Sequence, residues 1–99
     1  MKEYENIKEQ IIKICSPYEI ILFGSLAKKQ IKSNSDIDIC VVVDTTDKKS
    51  LTEKIYSQVD SDIPFDVVLY TIEEWNKWKD EKTSFLHKIC KEGEVVYGR

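Results

Sequence analysis

Apolar residues recur at Tyr4, Ile7, Ile11 and Ile14, in steps of three and four, the period of a helix with one buried face. Pro17 ends that pattern, because proline lacks an N–H and restricts the residue before it. Ile20-Ile21-Leu22-Phe23 is a short continuous apolar run, the mark of a strand buried on both faces, and Gly24 closes it. Residues 25 to 31 suit two helical turns, and Lys32-Ser33-Asn34-Ser35 reads as a polar loop. From Asp36 to Val43 the pattern predicts a second strand, with Ile37, Ile39, Val41 and Val43 alternating with Asp36, Asp38, Cys40 and Val42.

Ser50 and Glu53 match a capping box, and Leu51, Ile55 and Val59 predict the helix it would open. A loop through Asp60-Ser61-Asp62 and Pro64 leads to a third strand, Phe65 to Tyr70. Thr71 with Glu74 is a second capping-box match, opening a helix that carries Trp75 and Trp78. A further helix is predicted from Ser84 to Lys91 with Gly93 as a left-handed cap, followed by a short strand at Val95-Val96-Tyr97.

This order predicts one small sheet flanked by helices, an α/β (α+β) fold. The short connection around residues 25 to 35 leaves the strand directions open. Ninety-nine residues suit one domain, residues 1–99. With 18 acidic and 15 basic residues the net charge is −3, so no direct nucleic-acid binding is expected. Cys15, Cys40 and Cys90 are odd in number and form no CxxC, which argues against a zinc site or a disulfide framework. The N-terminus is charged, and every apolar run is too short to span a bilayer. The expected setting is cytoplasmic, with no membrane contact.

Asp36 and Asp38 change the picture from fold to chemistry. A strand of period two sends both carboxylates to one face, where they repel at a cost of order 1 kcal/mol or more. A divalent cation between them would turn that repulsion into attraction, and Mg²⁺ prefers such oxygen ligands together with substrate phosphates. The plain alternative makes Asp36 a loop residue and Asp38 a solvated edge position.

Gly24-Ser25 follows a buried strand and precedes helical turns. Glycine there lets the backbone approach a ligand closely, and a helix start offers free N–H groups to an anion. Taken alone, the pair is equally a strand-to-helix turn with Ser25 as N-cap. The spacing Gly-Ser-x10-Asp-x-Asp is sharper: chance gives it about once in 10⁵ starting positions at average residue frequencies.

Gly24-Ser25 through Asp36-Ile37-Asp38 resembles the signature of the DNA polymerase beta-type nucleotidyltransferases. In size and layout the chain is similar to their minimal nucleotidyltransferase (MNT) branch, many of whose members are antitoxins of HEPN-domain ribonuclease toxins. The resemblance implies a nucleotidyltransferase fold and transfer of AMP from ATP to a hydroxyl of a partner protein, a HEPN-type toxin that it silences. It implies two Mg²⁺ ions held by Asp36, Asp38 and a third carboxylate, which matches Asp66 in Pro64-Phe65-Asp66-Val67. Gly24 and Ser25 would hold the β- and γ-phosphates.

The family's arginine-bearing Gly-Ser-x-Ala-Arg-Gly is here Gly24-Ser25-Leu26-Ala27-Lys28-Lys29, so Lys28 would supply charge to the nucleotide without a bidentate fork. The rival function is a non-catalytic antitoxin, or nucleotide-binding module, that covers its partner. His87 reads as a solvated helix residue and Cys40 as core filling beside the site. Trp75 and Trp78, three apart, read as core or partner-interface packing.

Overall fold

The computed structural model describes residues 3–23 and 37–98. Helix α1, Glu3–Cys15, buries Ile7 and Ile11 completely, as the spacing requires. It ends where Ser16 takes a left-handed φ of 45° and Pro17 follows, buried. Strand β1, Glu19–Phe23, has its three central residues buried. Strand β2, Ile37–Val43, is buried at every position except Asp38, which is half-buried.

Helix α2, Lys48–Gln58, starts a turn earlier than the Ser50–Glu53 pattern predicts. Its N-cap is Asp47, whose carboxylate accepts from the Ser50 backbone N–H at 3.1 Å and from the Ser50 hydroxyl at 2.8 Å. Ser50 thus serves the cap instead of being it. A Ser-x-x-Glu pattern also occurs within helices, and Asp47 takes the Ser50 N–H that Glu53 would accept from in a capping box. Strand β3, Phe65–Thr71, leads directly into helix α3, Ile72–Trp78. Here the predicted capping box is present: Thr71 accepts from the Glu74 N–H at 3.1 Å, and Glu74 accepts from the Thr71 N–H at 2.9 Å.

Helix α4, Phe85–Glu92, has Ser84 as N-cap, and strand β4, Glu94–Gly98, follows. Gly93 between them is extended (φ −86°, ψ 175°), so the left-handed cap predicted there is not formed. Glycine has a different purpose at this point. A Cβ would lie 2.6 Å from the Ile89 carbonyl oxygen and 2.7 Å from that of Leu22, closer than real contacts allow.

The sheet order is β3-β2-β1-β4. β1 runs antiparallel to both β2 and β4, and β2 runs parallel to β3 through the α2 crossover. Alternation along the strands then builds two separate cores. One face sends Ile20, Leu22, Ile37, Ile39, Val41 and Val43 against α1 and α2. The other sends Ile21, Cys40 and Val42 against Trp75 of α3 and Leu86 and Ile89 of α4. The small mixed sheet with helices on both faces is the expected fold class.

Candidate active site

Asp38 is the second residue of β2 and Asp66 the second of β3. The parallel register sets Asp38 directly beside Asp66, with Ile37 beside Phe65 and Ile39 beside Val67. Paired residues on neighbouring strands point to the same face, and the strands lie about 4.8 Å apart. Ile37, Ile39, Val67 and Leu69 belong to the aliphatic core, so both carboxylates face the opposite side, toward α3 and α4. Asp38 is half-buried and Asp66 exposed.

On its other side Asp38 pairs with Phe23, the last residue of β1. The site therefore lies where β1 ends and β2 and β3 begin. Of the other residues expected to act, Gly24, Ser25, Lys28 and Asp36 lie outside the described residues, as do the helical turns predicted for residues 25 to 31.

The donor set suits a hard cation. Asp38 and Asp66 offer oxygen only, from two rigid strands, at a spacing where two bare carboxylates repel. Among the described residues no group of three or more His, Cys, Asp or Glu gathers at one point. The remaining predicted carboxylate, Asp36, is not among them.

Cys40 follows Asp38 by two residues on the same face, but it is fully buried in the second core. Its thiol is pushed up to about 12, chiefly by burial and to a lesser extent by Cys90 and Glu19. It stays protonated and fills space, as expected. His87 is not a solvated helix residue. It is half-buried, with Nδ1 3.0 Å from the Lys79 carbonyl oxygen, which places the ring proton on Nδ1. Burying the imidazole edge under the α3–α4 connection satisfies that carbonyl. Trp75 is 8% exposed in the second core, whereas Trp78 is 38% exposed with the Lys77 ammonium 4.9 Å from its ring centroid.

Two aromatic pairs escape the hydrophobic pattern. Phe85 meets Phe23 in a perpendicular ring contact, centroids 5.9 Å apart, while remaining 52% exposed. Tyr56 stacks on Phe65 and accepts the Val67 backbone N–H at 2.8 Å, occupying a ladder donor on the edge strand β3. Periodicity could not reveal either pair, since each depends on which strands become neighbours.

The comparisons with known proteins agree with this fold. The family model of polymerase beta nucleotidyltransferases matches residues 5–99. This chain belongs to that family. A crystal structure of a protein assigned as a nucleotidyltransferase from Sulfolobus solfataricus superposes with a TM-score of 0.67 at 19% identity, over 99% of this chain and 79% of that one. A toxin–antitoxin structure with AMP-PNP is 28% identical (TM-score 0.55), over 96% of this chain and 73% of that one. The complex of a tri-AMPylated Shewanella oneidensis HEPN toxin with its MNT antitoxin matches at 26% identity, TM-score 0.52, over 98% of this chain and 73% of that one. No curated protein matches. Among the described residues no helix is long and apolar enough to cross a membrane.

Proposed function

We propose that residues 1–99 act as one metal-dependent nucleotidyltransferase domain that moves AMP from ATP to a hydroxyl of a partner protein, a HEPN-type toxin. The observation that carries this reading is the side-by-side register of Asp38 and Asp66 on one sheet face, in a chain of the polymerase beta nucleotidyltransferase family. The partner and the nucleotide are supported by the likeness to the toxin–antitoxin structures, one with AMP-PNP and one with an AMPylated toxin.

Asp36, Asp38 and Asp66 would hold two Mg²⁺ ions. Bound there, the ions neutralise the triphosphate and the charge that develops during in-line displacement. Gly24 and Ser25 grip the β- and γ-phosphates and Lys28 adds a positive charge, so positioning supplies much of the rate. The acceptor hydroxyl loses its proton to Asp66, its oxygen bonds to the α-phosphorus, and the bond to pyrophosphate breaks.

A protein that silences its partner only by covering it has no use for carboxylates set side by side as Asp38 and Asp66 are. The test is co-expression with the partner toxin, followed by its mass and residual toxicity. The wild type should add the mass of AMP. Asp66→Asn should slow the transfer by about 10²–10⁴-fold, the usual loss when a general base is removed. A toxin left unmodified yet fully silenced by both versions would establish the covering mechanism instead.

A further inference from the structure

We infer that Phe85, at the start of α4, is the platform on which the base of the nucleotide stacks. The inference rests on the nucleotidyltransferase reading and adds to it the element that recognises the nucleoside. Phe85 belongs to neither buried core and is 52% exposed, although its ring touches Phe23. Phe23 in turn pairs with Asp38 across β1 and β2. One aromatic ring therefore stands between the exposed Phe85 and the carboxylate strand.

Phe85 lines a groove of about 870 Å³, with Ser84, His87, Lys82, Lys88 and Lys91 around it and Glu92 at its border. The three lysines are exposed, in a chain whose net charge is −3. Lys88 stands one turn from Phe85 on the same side of α4. An exposed aromatic bordered by lysines suits a flat, neutral π-system carrying anionic groups, the chemistry of a nucleotide. On the other face of the sheet the exposed aromatic of α2, Tyr56, is already engaged, stacked on Phe65 with its hydroxyl on the Val67 N–H.

Stacking is a property of the base and is absent from the phosphates, so the two can be separated with two probes. Calorimetric titration of the intact protein with Mg·ATP and with Mg·tripolyphosphate measures each in turn. Phe85→Ala should weaken ATP about tenfold, within the range known for loss of one base–aromatic stack, and leave tripolyphosphate unchanged. Phe85→Leu keeps an apolar contact with Phe23 and should show the same loss, which covers the case that alanine loosens α4. Phe85→Trp should restore binding.

Equal ATP affinity in wild type and Phe85→Leu would overturn the inference while leaving the nucleotidyltransferase reading intact. Unchanged ATP binding together with weakened toxin binding would assign Phe85 to the partner interface and overturn it too. A wild-type protein that binds neither probe would overturn both.

Discussion

The two faces of the sheet are built from the same strands and do opposite work. On the α1–α2 side nearly every inward position is a fully buried aliphatic residue, from Ile7 and Ile11 to Ile37, Ile39 and Val41. On the α3–α4 side the strands carry smaller or polar residues: Asp38 and Cys40 on β2, Asp66 and Tyr70 on β3. The second core closes over Ile21, Cys40 and Val42 but stops short of the end where the carboxylates sit. One face holds the fold, which frees one end of the other to hold like charges side by side.

That division makes stability and chemistry separable. The largest effect is expected from Asp36→Asn combined with Asp38→Asn, which should abolish Mg²⁺-dependent ATP binding. A triphosphate meeting carboxylates of its own sign is attracted only through the bridging cation. Thermal unfolding should be unchanged or slightly raised, because like-charge crowding is relieved. Equal ATP affinity in excess chelator would break the comparison at its active end.

The reverse experiment acts on the other face. Ile39 neighbours Asp38 but points into the aliphatic core, 1% exposed. Ile39→Ala should cost about 2–5 kcal/mol from lost burial and the cavity left behind. Denaturant titration would read that loss, while Mg²⁺ dependence of nucleotide binding persists in the protein that remains folded. An Ile39 variant of full stability would mean that the aliphatic face is not what holds the sheet.

Gly93 tests how α4 is seated on the active face. Its hydrogens face the Leu22 and Ile89 carbonyl oxygens and the Ile21 side chain, all closer than 3 Å to where a Cβ would be. Two of those three are backbone, so Gly93→Ala forces β1 and α4 apart. A cost of about 1–3 kcal/mol, typical of overpacking, is expected in thermal unfolding. Because α4 carries Phe85, ATP affinity should fall in the same variant. Unaltered stability would show that the approach of α4 to β1 is looser than the structure has it.

How much of this was legible beforehand follows from the range of each signal. Alternation within β2 and the polar position of Asp66 in an apolar strand are local, and both carboxylates are found on the expected face of adjacent strands. The Thr71–Glu74 capping box is local too, and it is present. The Ser50–Glu53 box does not form because Asp47, three residues earlier, takes the Ser50 N–H that Glu53 would accept from. Gly93 escapes a local reading because its reason is an approach to Leu22, more than seventy residues away in the chain. The antiparallel pairing of β1 with both β2 and β4, and the Phe23–Phe85 contact that depends on it, are long-range outcomes that no window of sequence contains.

The smallest effect concerns an ion pair that links the helices of the two faces. Lys48 of α2 lies 3.0 Å from both carboxylate oxygens of Glu74 on α3, across the β3 edge of the sheet. The Glu74 carboxyl is held below its ordinary value first by the hydrogen bond from the Thr71 N–H, then by Lys48, with partial burial opposing them. A carboxyl depressed in the folded state stabilises above its unfolded value, near pH 4.3, and that contribution is lost as pH falls through the folded value. Both side chains are substantially exposed, so screening keeps the whole effect below about 1 kcal/mol. Glu74→Gln should therefore lower stability slightly at pH 7 and flatten its decline below pH 4.3. Chemical unfolding of both proteins from pH 7 to pH 3 measures the difference. The two curves should converge at the acid end, where wild-type Glu74 is protonated and also uncharged. Curves that stay parallel through that range would mean that the link between the faces owes nothing to the Glu74 charge.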